Sequence, residues 1–291
     1  MTRPSRSASR KISAVVSDVD GTLVTDEKLL TNRTKQAVAA LHSRGIVFTI
    51  ISSRPPRGLR MVIDALEISV PFGGFNGGVI VSPDLSVITQ HLLPSEVARR
   101  AVEILTASGA QSWIFSGQDW VVRDPNESYI GLEERTVRFP PTVTADLTPF
   151  LDRAGKIVGV SADFDRLAQC EREVRAAFAD EACVARSQPQ YLDITHPLAN
   201  KGLALLALSE LLSIPVTEIA AIGDGGNDIA MFAKAGLSIA MGNAAPVVQR
   251  AADVVTGSNR EDGFADAIGR FILDGERSSV PVDSARAGAG G

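Results

Sequence analysis

Cysteine and histidine are both scarce in this chain. The three histidines, His42, His91 and His196, do not have the spacing of metal ligands, so we do not expect a zinc site. The only cysteines are Cys170, in a predicted helix, and Cys183, in a predicted strand. We interpret them as two buried thiols of a protein in a reducing compartment, and the sequence leaves a disulfide open as the alternative.

Long apolar runs and an excess of positive charge are also missing. No run is long enough to span a bilayer, and no apolar stretch of the signal-peptide kind follows the basic start at Arg3, Arg6, Arg10 and Lys11. We expect a disordered tail there, with a transit peptide as the alternative. The formal net charge is −5, whereas nucleic-acid binding requires clustered Lys and Arg. We therefore predict a cytoplasmic protein with neither a nucleic-acid nor a membrane partner.

The rest of the composition is that of a globular protein with room for two domains. The chain has 291 residues, of which 45% are hydrophobic, so it exceeds the usual size of a single domain. Short apolar runs alternate with helical patterns, which is typical of a largely parallel α/β sheet. The predicted strands of this sheet are 12–17, 46–51, 219–223, 237–241 and 253–255, and its clearest predicted helices are 31–44 and 201–212.

A different rhythm fills the middle of the chain, from about residue 85 to residue 195. Adjacent strands and two amphipathic helices there predict a self-contained α+β module. Its predicted elements are the helices 94–108 and 163–179 and the strands 112–116, 119–123, 156–160, 182–186 and 190–194. We predict a discontinuous core domain of residues 12–84 and 196–274, a cap domain of residues 85–195, and disordered tails at 1–11 and 277–291.

An acidic motif, Asp18-Val19-Asp20-Gly21, follows the first predicted strand directly. Ligands of open parallel sheets bind beyond the carboxyl ends of the strands, so both carboxylates are expected to reach a crevice. One can act as a nucleophile and the other as a general acid and base. A solvated turn is the alternative. A calcium loop is not, because its glycine would be the sixth residue and Gly21 is the fourth.

A second acidic motif, GDGGND at 223–228, follows another predicted strand. Asp224 together with Asp18 would form a magnesium site, with Asp228 supporting it from behind. The alternative is a glycine-rich turn in which Asn227 or Asp228 caps the next helix, and capping is compatible with metal binding.

Two further positions suit a phosphate group. Ser52 and Ser53 end the second strand, where a hydroxyl and backbone N–H groups can hold phosphate oxygens. Lys201 opens a predicted helix, where its charge opposes the helix dipole unless an anion lies nearby. A surface lysine is the simpler interpretation of Lys201 taken alone.

Taken together and in order, these motifs resemble a known family. The segments DVDGT, SSR, Asn200-Lys201-Gly202 and GDGGND, the last followed by Met231 and IAMGN, resemble the four motifs of the haloacid dehalogenase superfamily. More narrowly, the chain resembles the Cof-type sugar-phosphatase-like group with a type IIB cap, over residues 12 to about 274. It departs at Ser53, where the family often has glycine before Arg54.

The resemblance implies a Rossmann-like core, an inserted cap and a set of catalytic roles. Asp18 would be the nucleophile that forms an aspartyl phosphate, and Asp20 the general acid and base. Lys201 would neutralise the transferring phosphoryl group. The ligands of Mg²⁺ would be Asp18, Asp224 and the backbone carbonyl of Asp20, with Asp228 supporting them.

Phosphate binding is assigned to Val19, Ser52, Ser53, Lys201 and Asn227. The cap is expected to act as a lid that excludes water and contacts the leaving group. The run Glu133, Glu134 and Arg135 is interpreted as a solvated helix face. The candidate substrate contacts are Arg54, Asn76, Arg123 and Arg186, and the cap residues Trp113, Trp120 and Tyr191 are further candidates.

We therefore expect a Mg²⁺-dependent phosphatase of small phosphorylated metabolites, such as a sugar phosphate or a cofactor phosphate. A phosphomutase or phosphotransferase with the same covalent intermediate is one alternative. A phosphate-binding regulatory protein without activity is the other. Specificity would depend on the cap, and the sequence identifies neither the substrate nor the oligomeric state.

Overall fold

A computed structural model describes residues 11–274. The two predicted disordered tails lie outside these residues except for Lys11, whose ammonium lies 3.2 Å from the carboxylate of Glu218.

The strands of residues 11–274 form three sheets. They are β1 (Ala14–Ser17), β2 (Val47–Ile50), β3 (Phe72–Gly74), β4 (Val79–Val81), β5 (Val87–Gln90), β6 (Gln111–Ser116), β7 (Asp119–Val122), β8 (Thr142–Val143), β9 (Ala154–Val160), β10 (Cys183–Gln188), β11 (Tyr191–Thr195), β12 (Ile219–Gly223), β13 (Leu237–Ala240) and β14 (Val254–Val255).

The helices connect and cover these strands. They are α1 (Asn32–Ser43), α2 (Arg60–Ala65), α3 (Ser95–Ala107), α4 (Ile130–Val137), α5 (Thr148–Leu151), α6 (Phe164–Phe178), α7 (Lys201–Leu212), α8 (Ile229–Phe232), α9 (Pro246–Ala251) and α10 (Gly263–Ala267), which continues as a π-helical turn (Ile268–Leu273).

The first sheet is parallel throughout and has the order β14-β13-β12-β1-β2. Its central strand β1 is fully buried, because helices cover both faces of the sheet and its sequence is almost wholly apolar. The register places Ser17 beside Ile222 on one side and Ile50 on the other. The carboxyl ends of β12, β1 and β2 are therefore neighbours, and the predicted parallel α/β core is confirmed.

The first helix shows why the local sequence folds as it does. The hydroxyl of Thr31 accepts a hydrogen bond from the backbone N–H of Thr34, which satisfies a free donor of the first turn of α1. Val38 and Leu41 are buried on the inner face of the helix. The predicted helix at 31–44 is confirmed.

The second sheet belongs to the middle of the chain and has the order β10-β11-β9-β6-β7-β8. Alternating residues separate its two faces. Ile114, Ile157 and Ile194 lie in one row across β6, β9 and β11, in the hydrophobic cluster that also contains residues of α3 and α6. The opposite face carries Trp113 and Asp193, both in register with Val158 of β9. The predicted α+β module is confirmed as a fold element.

A third, antiparallel sheet of β3, β4 and β5 has no counterpart in the sequence analysis. It spans residues 72–90 and therefore crosses the predicted domain boundary at 84–85. The domain limits themselves stay a prediction.

The interpretation of the cysteines is wrong for one of the two. Cys170 is buried in α6, but Cys183 is exposed on β10, and both are free thiols. Cys183 begins β10, which forms one edge of the second sheet. Only one side of this strand is hydrogen-bonded to another strand, β11.

Candidate active site

The two acidic motifs meet at the carboxyl edge of the parallel sheet. Asp18 follows β1, and Asp224 follows the adjacent strand β12. One carboxylate oxygen each of Asp18, Asp224 and Asp228 lies within 4.8 Å of the other two. The predicted convergence of residues 18 and 224 is confirmed.

A lysine ammonium neutralises part of this acidic cluster. The Nζ atom of Lys201 lies 2.6 Å from Oδ1 of Asp18 and 2.6 Å from Oδ1 of Asp228. Lys201 is only 1% exposed, so the interpretation of a surface lysine is wrong. A buried charge of this kind persists only when it is paired. The side chain of Asn200 places Lys201 at the start of α7 by accepting hydrogen bonds from the first turn of that helix.

The electrostatics of the cluster follow from burial and close like charges. Burial raises the pKa of Asp18 to about 8, with Lys201 opposing the shift and Asp228 adding to it. Burial also raises the pKa of Asp224 to about 6, against a hydrogen bond from Thr22 at 2.9 Å. Burial alone would lower the pKa of Lys201, but its two carboxylate partners raise it above the ordinary value.

Asp228 supports the cluster from a fully buried position. Its Oδ1 atom faces Lys201, and its Oδ2 atom accepts hydrogen bonds from the backbone N–H groups of Asp224 and Gly225 at 2.9 and 2.8 Å. Both oxygens are therefore occupied by protein donors. This arrangement agrees with the predicted supporting position behind Asp224.

The donor set of the cluster fits a hard divalent cation. Asp18 and Asp224 present carboxylate oxygens, which Mg²⁺ prefers, and the charge of Asp228 adds to the effect of burial in raising the pKa of both. Gly21 leaves room for the Asp224 carboxylate: it has a φ of +76°, and a Cβ atom at this position would lie 2.2 Å from Oδ2 of Asp224.

Asp20 has different partners from Asp18. The guanidinium of Arg54 donates to both of its oxygens at 2.7 Å, from Nε and from Nη2, and Lys28 donates to Oδ1 at 2.7 Å. Burial would raise the pKa of Asp20, but the hydrogen bonds and charge of Arg54, with those of Lys28, lower it well below its usual range. The Nη1 atom of Arg54 also donates to the carbonyl of Thr136 at the end of α4, at 2.9 Å.

The predicted phosphate-binding residues differ in their access to the cavity that Asp18 lines: Ser53 and Asn227 line it, whereas Val19, Ser52 and Lys201 do not. Ser52 is fully buried and its hydroxyl accepts from the backbone N–H of Arg54 at 3.2 Å, whereas Ser53 lines the cavity in front of Asp18. The amide of Asn227 donates to the side chain of Asn76 at 2.8 Å. Val19 is fully buried, and its carbonyl accepts backbone hydrogen bonds within the loop after β1.

The cavity has a volume of about 440 Å³. The second sheet, called the cap sheet from here on, forms the wall opposite Asp18. The predicted contacts Arg54, Asn76, Trp113, Arg186 and Tyr191 all line it. Within the described chain, Arg123 and Trp120 do not: Arg123 is exposed elsewhere on the cap, and Trp120 is fully buried. The side chain of Arg186 donates to the carbonyl of Pro189.

Several cavity residues were missed or misread in the sequence. Glu133 is partly buried, lines the cavity and has a pKa raised by burial to about 6, so its interpretation as part of a solvated face is wrong. Lys156 and Asp193 form a buried ion pair at 3.4 Å in the same cavity. The period-two alternation along β9 and β11 was the available signal, since it puts these charged residues on the face opposite to Ile157 and Ile194. The sequence around Lys28 gives no comparable indication that this residue lines the cavity.

Comparison with known proteins identifies the family. A family model for haloacid dehalogenase-like hydrolases matches residues 15–268. The chain belongs to this family. A Bacteroides thetaiotaomicron structure described as a haloacid dehalogenase-like hydrolase superimposes with a TM-score of 0.84 at 30% identity, covering 90% of this chain and 100% of the other.

Two curated relatives of this hydrolase are phosphatases. One is the 5-amino-6-(5-phospho-D-ribitylamino)uracil phosphatase of Bacillus subtilis, 26% identical over 263 residues, with 90% of this chain and 96% of the relative covered. The other is the HMP-PP phosphatase of Cronobacter sakazakii, 26% identical over 230 residues, with 79% and 84% covered.

The cap also has a known counterpart. A structure described as a subclass IIB sugar phosphatase shares the fold with a TM-score of 0.77 at 24% identity, covering 89% of this chain and 98% of the other. The predicted superfamily, cap type and enzyme class, a phosphatase of this family, are confirmed. Among residues 11–274, no helix has the length and apolar character needed to cross a membrane.

Proposed function

We propose that this enzyme is a Mg²⁺-dependent phosphatase that hydrolyses small phosphorylated metabolites through a covalent phosphate on Asp18. The observation that supports this most is the buried Lys201 ammonium, 2.6 Å from Asp18, beside the carboxylate cluster of Asp18, Asp224 and Asp228. This hydrogen-bonded group brings together the nucleophile Asp18, the cation Lys201 and carboxylates that can bind a metal cation. Phosphoryl transfer requires such a combination.

The carboxylate of Asp18 is the proposed nucleophile, because it lies on the cavity wall and its neighbours hold it in one orientation. Its oxygen attacks phosphorus while the bond from phosphorus to the leaving oxygen breaks. The transferring phosphoryl group brings negative charge beside Asp18, and the Lys201 ammonium offsets that charge. Bound Mg²⁺, held by Asp18, Asp224 and the carbonyl of Asp20, would supply further charge neutralisation on the phosphoryl oxygens.

Asp20 is the proposed carrier of the proton. Its carboxyl group gives a proton to the leaving oxygen and takes one back from the water that hydrolyses the phosphate on Asp18. The bonds from Arg54 and Lys28 stabilise the ionised form, which is the form needed in the second step. The first step needs the protonated form, so these contacts must loosen when substrate binds.

The leaving group is proposed to lie against the cap. Tyr191 and Asp193 line the cavity, and Oδ1 of Asp193 is buried without a hydrogen-bond partner among the described residues, whereas the hydroxyl of Tyr191 is buried near the side chain of Gln190 without a hydrogen bond of normal geometry. Unpaired buried polar atoms are costly, so these atoms favour a ligand that supplies donors and acceptors. With Lys156 and Glu133 beside them, we propose a leaving group rich in hydroxyls, such as a sugar or an alditol chain. A ribityl chain, named in one relative's substrate, is of this class.

Phosphate release from a panel of phosphorylated metabolites tests the proposal. We expect turnover with Mg²⁺, loss of turnover with a chelator, and a preference for polyhydroxylated leaving groups. Reactions in ¹⁸O-labelled water separate hydrolysis, which puts the label into phosphate, from transfer to an acceptor hydroxyl. Transfer without label would establish the phosphomutase or phosphotransferase alternative, and no turnover on any ester would indicate a regulatory protein. A cytoplasmic location stays a prediction.

A further inference from the structure

A second and larger cleft lies outside the active site. Its volume is about 840 Å³, and none of its lining residues also lines the cavity of Asp18. We name it the arginine cleft, after the residues that define it: Arg57, Arg60, Met61, Leu85, Arg138 and Phe139. Small-molecule sites commonly have volumes of roughly 300–1,000 Å³.

The cleft carries more positive than negative charge: three arginines and one aspartate line it, and one of the arginines, Arg60, lies 3.9 Å from the carboxylate of Asp64. Within residues 11–274, neither Arg57 nor Arg138 has a carboxylate within 4.0 Å, and both are exposed. Arg60 donates to the carbonyl of Pro83 at 3.0 Å. The one acidic lining residue, Asp84, accepts hydrogen bonds from the backbone and hydroxyl of Ser86 at 2.9 and 2.6 Å. The free guanidinium groups therefore complement an anion.

Apart from Ser86 and Gln118, the rest of the lining is apolar, and it holds one guanidinium in place. Met61, Leu85 and Phe139 contribute side chains to the cleft. The guanidinium carbon of Arg57 lies 4.3 Å from the centroid of the Phe139 ring, which orients its planar donor fork. A ligand with both an apolar frame and an anionic group matches this lining.

The backbone around the cleft is unusual for the residues it carries. Leu85 has a φ of 71° and Arg138 a φ of 64°, both in the left-handed region that such side chains rarely adopt. Such conformations cost free energy, and they are found preferentially at ligand sites and switch regions. Both residues line the cleft.

We propose that the arginine cleft is a second ligand site, for a small organic anion that carries carboxylate or phosphate groups on an apolar frame. Arg57 and Arg138 would bind the anionic groups as paired donors, and Phe139 with Met61 and Leu85 would contact the frame.

The position of the cleft connects it to the active site. Arg57 is three residues from Arg54, and Arg138 is two residues from Thr136, whose carbonyl accepts from Arg54 at 2.9 Å. The segment that contains Arg57 packs tightly against the segment that contains Arg138, because a Cβ atom at Gly58 would lie 3.1 Å from Cβ of Val137. An anion that bridges Arg57 and Arg138 stabilises this contact between α4 and the turn before α2, and with it the position of Arg54 beside Asp20.

Calorimetric titration with two probes tests the site: benzene-1,3-dicarboxylate and phenylphosphonate, which distinguish a carboxylate from a phosphate preference. We compare Arg57→Ala/Arg138→Ala with Arg153→Ala/Arg172→Ala, which removes the same charge from exposed arginines outside both cavities. Removing two charge-assisted contacts is expected to weaken binding of at least one probe by about tenfold or more. Equal affinity in the two double variants, or no binding of either probe to the wild type, would overturn the proposal. Should the first double variant lose its fold, Arg138→Ala alone replaces it.

A kinetic measurement tests the coupling, which rests on the proposed phosphatase function. The probe is expected to change the KM of a phosphate ester in the wild type and in Arg153→Ala/Arg172→Ala, but not in Arg57→Ala/Arg138→Ala. A probe that binds and leaves KM unchanged would overturn the coupling. Because the titration needs no turnover, failure of the site and failure of the phosphatase proposal are distinguishable.

Discussion

At the level of single residues, the site depends on charges that are buried and mutually dependent. Lys201 is fully enclosed between Asp18 and Asp228. The attraction between these opposite charges offsets the free-energy cost of burying each of them. Removing one member of such a group leaves an uncompensated charge, which costs far more than the loss of a surface pair.

Replacement of this lysine therefore has a predicted effect on stability as well as on catalysis. Lys201→Met is expected to lower the free energy of unfolding by about 3 kcal/mol, because Asp18 and Asp228 lose their cation. Urea denaturation measures this change. Lys234→Met is the matched control on an exposed lysine and should change stability by less than about 0.5 kcal/mol. Equal effects of the two variants would contradict the buried pairing.

Glu133 leads to a prediction about pH. Its pKa is raised by burial from 4.5 to about 6, so the folded state binds more protons than the unfolded state between these values. The stability that protonated Glu133 provides is complete below about pH 4.5 and is lost as pH rises through about 6. Glu133→Gln should thus stabilise the protein by about 1–2 kcal/mol at pH 8 and by little at pH 4.5.

Urea denaturation at the two pH values tests this, with Glu134→Gln as the control on the exposed side of the same helix. A stabilisation by Glu133→Gln that is the same at both pH values, or one that Glu134→Gln reproduces, would refute the account.

At the level of elements, helix starts and strand ends position the chemistry. Asn200 caps α7 by accepting hydrogen bonds from Gly202 and Leu203 at 2.8 and 3.3 Å, and the next residue is Lys201. Thr31 caps α1 in a comparable way, but α1 carries no proposed site residue. Removing each cap in turn therefore separates the contribution of a helix cap to stability from its contribution to catalysis.

Asn200→Ala and Thr31→Ala are each expected to destabilise the protein by about 1 kcal/mol, as the loss of an N-cap does. Only Asn200→Ala should also lower kcat, because it loosens the helix turn that holds Lys201. Thermal unfolding and initial rates measure the two effects. Loss of kcat in both variants, or in neither, would argue against a specific positioning role of Asn200.

Much of the element pattern could be predicted from the sequence, for reasons that the structure makes plain. The strands of the parallel sheet are short apolar runs buried on both faces, and α1, α3, α6 and α7 have strong periodicity or caps. The sheet β3-β4-β5 was missed because its strands have three or four residues and β3 is Phe-Gly-Gly. Such short segments lack a readable period.

At the level of the whole molecule, the cavity exists because one face of the cap sheet lies opposite the carboxyl edge of the core sheet. Asp18 and Asp224 could be predicted because both follow strands of one parallel sheet. The alternation along β9 and β11 puts Lys156 and Asp193 on one face of the cap sheet, but whether that face, and Glu133 with it, lines the cavity depends on how two separately patterned units pack. Local sequence carries no information on that packing.

The cap face leads to a prediction about specificity. Tyr191→Phe removes a buried hydroxyl that makes no hydrogen bond of normal geometry among the described residues. It is expected to raise KM by about tenfold for a sugar phosphate and to leave KM for p-nitrophenyl phosphate unchanged, because only the sugar supplies a hydroxyl partner. Tyr129→Phe alters the only other tyrosine, which does not line the cavity, and is the control. Equal changes for both substrates would place the sugar elsewhere.

The most direct test of the account is the turnover of Asp18→Asn with a phosphate monoester and Mg²⁺. The substitution keeps the size of the side chain and removes the proposed nucleophile, so we predict a folded protein whose kcat falls by at least about 10³-fold. Asp119→Asn, an exposed aspartate of the cap, should retain the wild-type rate. A folded Asp18→Asn enzyme that turns over at the wild-type rate would contradict the central claim.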